Sequence, residues 1–150
     1  MSLLNILKIA SQGMSAQRQR LEVSAANLAN ANTTRTASGK PYQRRDIVFE
    51  AKEINEAWKT SASRNGLIDS DQKAVGVESK ITVADVDQYI RTHQPGHPDA
   101  DERGYVNMPD VDPLEETVNM MSAARSFESN ATVFNTAKEL ARVSLNLGDA

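Results

Sequence analysis

The chain contains no cysteine, which excludes disulfides, thiol nucleophiles and thiolate metal sites. The absence fits a reducing and an oxidising compartment equally well. Aromatic residues are scarce: one Trp, three Tyr and three Phe make up 5% of 150 residues. Much of the 39% apolar content is Ala, which lets helices approach but buries little area per residue, so a large self-sufficient core is not expected. Excess positive charge is missing too. Seventeen basic and 20 acidic side chains leave a formal net charge of −3, which offers no overall attraction to nucleic acid or anionic lipid. No stretch approaches the ~20 apolar residues of a membrane span. The opening MSLLNILKIASQGM lacks a basic stretch ahead of its apolar residues, and Asn5, Lys8 and Gln12 interrupt them at amphipathic spacing. A cleaved secretory signal is therefore not expected.

What the chain does have is pattern at both ends. Leu7, Ala10, Met14, Gln17, Leu21, Ser24 and Leu28 recur at alternating spacings of three and four, as do Met120, Ala124, Phe127, Ala131, Phe134, Lys138, Ala141 and Leu145. That spacing places each set on one helical stripe, the seam of a coiled coil, or of an amphipathic helix lying on a globular core. The first helix is expected from Ser2, an N-cap, to about Ala31, where Asn30, Asn32, Thr33 and Thr34 favour local side-chain bonds over helix. The second is expected to start at Asp112 as N-cap, with Pro113 in its first turn and Glu115 as the acid of a capping box, and to run to Gly148. Val133, Ala137, Leu140 and Leu147 widen its apolar stripe, which suits a helix with more than one neighbour.

Between the helices the pattern changes. Tyr42 to Glu50 is expected to form a short strand. Val75 to Val83 alternates with period two and is the clearest strand, with Val75, Val77, Ser79, Ile81 and Val83 on one face. Residues 51–74 have the composition of a variable surface insertion, with a helical turn from Glu53 to Lys59.

Tests for chemistry return little. His93 and His97 are four apart, but Pro95 and Gly96 between them forbid a shared helical face, so a solvated loop is expected. The run from Asp99 to Asp110 imitates a calcium loop only in part, because Arg103 stands where an oxygen ligand is required. No nucleophile motif or phosphate-binding glycine loop is recognisable. Arg35, Lys40, Arg44 and Arg45 make a basic patch, and Asp46 and Glu50 beside it favour salt bridges to a partner protein over phosphate.

The segment SAANLANANT, Ser24 to Thr33, resembles the N-terminal signature of the bacterial flagellar rod, hook and hook-associated proteins, which centres on Asn-Leu-Ala-Asn. Ala26 stands where many members carry Ser. MSLLNI at the start, GKPYQR from Gly39, GYVNMPDVD from Gly104 and VNMMSAARSF from Val118 extend the resemblance towards proteins of the proximal rod. It covers roughly two-thirds of the chain and leaves out 51–74.

The resemblance implies a mainly α fold with a small β-rich middle. Long N- and C-terminal helices would pair as a coiled-coil-like core of the axial-protein D0 type, carrying a short-stranded outer domain. The segments would be 1–34, 35–111 and 112–150. It further implies a structural subunit without catalysis, cofactor or metal, located in the periplasmic rod of the basal body. Export would use the flagellar type III apparatus without a cleaved signal. Partners would be neighbouring rod subunits, the rod-base adaptor, the distal rod and further copies of itself, with no nucleic acid and no direct lipid binding. The expected assembly contacts are Leu7, Met14, Leu21, Asn27, Leu28, Asn30, Asn32, Met121, Phe127, Phe134 and Leu145. Asn27, Asn30 and Asn32 would either cap the first helix or touch a neighbour. Arg18, Arg20, Glu22, Lys138 and Arg142 are expected on exposed flanks or against neighbours. Two alternatives stay open from the residues alone: a soluble coiled-coil adaptor that binds one partner helix, and a secreted cell-wall hydrolase, for which no paired-acid pattern stands out.

Overall fold

The computed structural model describes residues 3–53, 75–83 and 89–148. Most of the expected insertion, 54–74, and most of its helical turn lie outside them. The order is α1 (Leu3–Ala29), β1 (Arg45–Glu53), β2 (Val75–Val83), β3 (Tyr89–His93), β4 (Tyr105–Pro109) and α2 (Pro113–Gly148). Among the described residues, two long helices thus bracket a small β region, arranged as two two-stranded sheets, β1-β2 and β3-β4.

The helices begin and end where local chemistry directs them. Asp112 caps α2: its Oδ1 accepts the Leu114 N–H at 2.8 Å and its carbonyl accepts that of Glu116 at 3.0 Å. Pro113, lacking an N–H, adds no donor that the first turn would have to satisfy. Helix α1 stops at Ala29, two residues earlier than expected. Asn30 turns its own Nδ2 back onto the Ala26 carbonyl at 2.8 Å, and its Oδ1 accepts the Thr33 hydroxyl, so the last turn is closed by side chains. At 1.5 Å per residue, the 27 residues of α1 and 36 of α2 extend about 40 and 54 Å. No helix among the described residues is long and apolar enough to cross a membrane.

Strand β2 has the expected bounds. Strand β1 starts three residues later than expected, at Arg45, because Tyr42 is committed elsewhere: its N–H bonds the Thr33 carbonyl at 3.1 Å and its ring is buried.

Two compact units divide the chain. The first comprises residues 1–17, 49–79 and 125–150. Its buried side chains among the described residues are Ala10, Ala16 and Ala137, and Gly13 lies against the Asn130 side chain. The second comprises residues 18–48 and 80–124. Here Ala31, Tyr42 and Val111 form a small apolar cluster, and Val23, Val106 and Ala123 are buried elsewhere in the unit. Antiparallel β3 and β4 pair Tyr89 with Pro109 through His93 with Tyr105. His93 therefore lies in a strand, not in the loop expected for it, and stacks edge-on against Tyr105.

Candidate functional site

The most tightly built place in the second unit is where α1 ends, and it is polar. Asn27 is 1% exposed. Its Nδ2 donates to the Arg45 carbonyl at 2.8 Å and to Glu116 Oε1 at 3.1 Å, and its Oδ1 accepts from the Tyr42 hydroxyl and the Arg45 N–H, both at 3.0 Å. A carboxamide offers two donors and two acceptors, and all four are used. One side chain thereby joins the end of α1, the entry to β1 and the first turn of α2.

Glu116, the third link, is 2% exposed. A carboxylate is tolerated at that depth only when paired. Arg44 supplies the charge, with Nε 3.3 Å from Glu116 Oε1 and 3.3 Å from Asp46, while its Nη2 reaches Glu115 at 3.1 Å. Burial opposes the positive charge on Arg44, but the Glu115 hydrogen bond and the surrounding acids outweigh it and move the pKa up. Burial likewise pushes the Tyr42 hydroxyl up, with Arg45 opposing and Glu116 adding to the shift.

Two expectations are corrected here. Glu115 faces Arg44 rather than serving as a capping-box acid, and Arg44 spends its charge on its own chain instead of on a partner. Arg20 also turns inward: its guanidinium donates to Asn119 Oδ1 at 3.0 Å, because Asn119 lies on the side of α2 that α1 meets. With the Asn27–Glu116 bond, this contact runs the two helix segments of the second unit antiparallel. Arg18 remains on the surface, paired with Glu22 one turn on. Arg35 pairs with Asp99, whose carboxylate also accepts from Thr34.

The remaining expected contacts separate by exposure. Leu7, Met14 and Phe134 in the first unit, and Leu21, Leu28 and Asn30 in the second, are half-buried. Asn32 and Met121 are exposed, and Phe127 and Leu145 are 38% and 72% exposed. The buried stripe of α2 is offset from the apolar seam: Glu116, Ala123 and Ala137 are its deepest positions, and Lys138 lies outside it. Sequence reasoning missed Tyr42, Arg44, Glu116 and Asn119. The available signal was the heptad spacing of Glu116, Ala123, Asn130 and Ala137, which a search for apolar residues passes over.

The two helix segments that meet at this junction also fall in stretches shared with known proteins. A family model described as flagella basal body rod protein matches residues 7–35, and one described as flagellar basal body rod FlgEFG protein C-terminal matches 102–147. The flagellar basal-body rod protein FlgC of Yersinia enterocolitica is 41% identical over 148 residues, 99% of each chain. Its counterpart in Borreliella burgdorferi is 36% identical with 97% of each chain covered, and that of Bacillus subtilis 35% identical with 99% of each. The chain belongs to the FlgC family of flagellar basal-body rod proteins. It is a structural rod subunit of the flagellum, not an enzyme. In this FlgC-family chain both partners of the Asn27–Glu116 bond fall inside the matched segments.

Proposed function

We propose that this FlgC-family subunit polymerises through its terminal helices, with copies of itself and with other axial subunits. The product is a hollow shaft in the periplasm that passes torque outward and stays open for export. The carrying observation is apolar surface left over on α2. Leu114, Val118 and Met121 in its N-terminal part, and Leu140, Val143 and Leu145 in its C-terminal part, are exposed, while Ala123 and Ala137 occupy the buried stripe. A helix with apolar residues outside its buried stripe has neighbours still to come. Coiled-coil packing of D0 type, with Leu7, Met14, Leu21, Leu28, Phe127 and Phe134 along the seams and Asn32, Met121 and Leu145 towards neighbours, gives those residues partners. Residues 1–34 and 112–150 then form the wall, and 35–111 an outer domain. Asn27 and Asn30 serve their own chain. Entry through the type III export channel is the route that goes with this placement.

The test is Leu145→Asp or Val118→Asp in cells that rely on the variant. Both side chains are exposed, so the free protein should keep its circular dichroism and unfolding midpoint. Basal bodies should stop at the rod, since a carboxylate in an apolar subunit contact is desolvated unpaired. Normal motility with both variants would refute helix-mediated polymerisation.

A further inference from the structure

We propose that the cleft beside the Thr36–Lys40 turn receives the acidic edge Asp110–Asp112 of a second copy of the chain, which adds an ion-paired contact outside the helices. The cleft, ≈ 440 Å³, lies within the second unit; Lys40, Arg45, Ser38 and Gln43 are among its lining residues, and no acid is. It accounts for a motif that the junction only half absorbs. Of the four members of the basic patch, Arg44 is spent on Asp46, Glu115 and Glu116, and Arg35 on Asp99. Among the described residues no acid pairs with Lys40 or Arg45, and both are exposed. The two unspent cations are the two that share the cleft.

Both charges stand on fixed backbone. The Lys40 carbonyl accepts the Thr36 N–H at 2.8 Å and the Thr36 hydroxyl at 2.7 Å. The main chain of Arg45 is held at its carbonyl and at its N–H by Asn27. Little ordering is left for binding to impose. Two cations in one cleft call for two negative charges presented together.

The chain carries such a pair. Between β4 and α2, Val111 is buried, while Asp110 and Asp112 on either side of it are exposed. Residues two apart in non-helical chain point the same way, so both carboxylates are presented outward, roughly 6–7 Å apart. Among the described residues no cation pairs with either. Asp112 spends one oxygen on the cap of α2 and keeps the other. A cleft on one copy and an edge on the next can repeat head to tail without closing, as growth of a shaft requires. The contact rests on the polymerisation proposed above. Exposed ion pairs add little affinity but fix register, and like charges set opposite each other are costly. The helices therefore supply the attraction and the cleft the alignment.

Two experiments in cells that rely on the variant test this. Photoactivatable benzoylphenylalanine in place of Ser38, which lines the cleft, should cross-link two copies, with the adduct mapped by mass spectrometry to residues 109–114. Capture of a different protein or segment, or no adduct, would overturn the assignment. Lys40→Glu should reduce the yield of rod-stage basal bodies at least about fivefold while the free protein keeps its unfolding midpoint. Adding Asp110→Lys to the same chain should recover roughly half of the loss or more, since the opposed charges are then merely exchanged. Full assembly with Lys40→Glu, or no recovery in the double variant, would count against the cleft as a subunit contact. Such a failure is distinct from failure of helix-mediated polymerisation, because rods that assemble normally with Lys40→Glu should still stop with Leu145→Asp or Val118→Asp.

Discussion

Asn27 Nδ2 donates a 3.1 Å hydrogen bond to Glu116 Oε1 across 89 positions of sequence, and neither side chain is more than 2% exposed. Buried polar pairs are asymmetric in their energetics: intact they contribute modestly, but removing one partner strands the rest. Asn27→Leu keeps the bulk and abandons Glu116, the Tyr42 hydroxyl and the Arg45 N–H. Urea unfolding of the free protein should show a loss of about 3 kcal/mol or more. A loss below about 1 kcal/mol would mean that these groups find other partners.

Gly13 is held small by a side chain on the other helix. A Cβ built there would lie 2.8 Å from Asn130 Nδ2 and 3.1 Å from its Cγ. Helix propensity favours Gly13→Ala by about 0.5–1 kcal/mol, and the crowding of Asn130 should offset most of that. Gly13→Ala alone is expected to be near neutral, and the same change in an Asn130→Ala background clearly stabilising. A double-mutant cycle by thermal unfolding checks the sign, and additivity of the two changes would argue against the contact.

Gly104 closes the β3–β4 connection with φ +78°, and a Cβ there would meet Pro95 Cβ at 3.1 Å and His93 Nε2 at 3.2 Å. Gly39 has a similar φ of +77° but nothing within 4 Å. The pair separates backbone strain from crowding. Gly39→Ala should cost about 1 kcal/mol and Gly104→Ala at least about 1 kcal/mol more. Equal losses in unfolding free energy would leave the Pro95 contact without weight.

Asp101 governs how that connection responds to acid. Its Oδ1 accepts the N–H groups of Tyr105 at 2.8 Å and Arg103 at 2.9 Å, and its Oδ2 pairs with Arg91 at 2.8 Å. The Tyr105 N–H bond, with Arg103 and Arg91 adding to it, holds the carboxyl below its ordinary value of 3.8. A depressed folded-state pKa means that the stabilisation is complete above the unfolded value and is lost as the pH falls through the folded one. Amide exchange at Tyr105 should thus accelerate, relative to intrinsic rates, only below the ordinary carboxylate range. Asp101→Asn should abolish that dependence.

What was legible in the sequence was whatever a local rule dictates. Asp112-Pro113 marks the start of α2, the Asn-rich segment the end of α1, and strict alternation gives the bounds of β2. The fold's two-helix frame followed from spacing alone. The polar junction did not, because its members are far apart in sequence and each has an ordinary local explanation. Glu116 passes for one of two acids at a helix start, Tyr42 for the first residue of a strand, and Arg44 for part of a basic patch. Phe127 looks like a seam residue by size, yet the stripe that is buried uses Ala123 and Ala137, since small side chains let a neighbouring backbone come close.

That preference for alanine has a mechanical consequence. Smooth, small-residue stripes grip weakly along their axis, and a slip of one heptad would still set alanine against α1. It would also bring Ala123 to Asn27 and leave the carboxylate of Glu116 without its donor. The four-bonded carboxamide thus acts as an indexing pin that fixes the axial register of the two helix segments it joins.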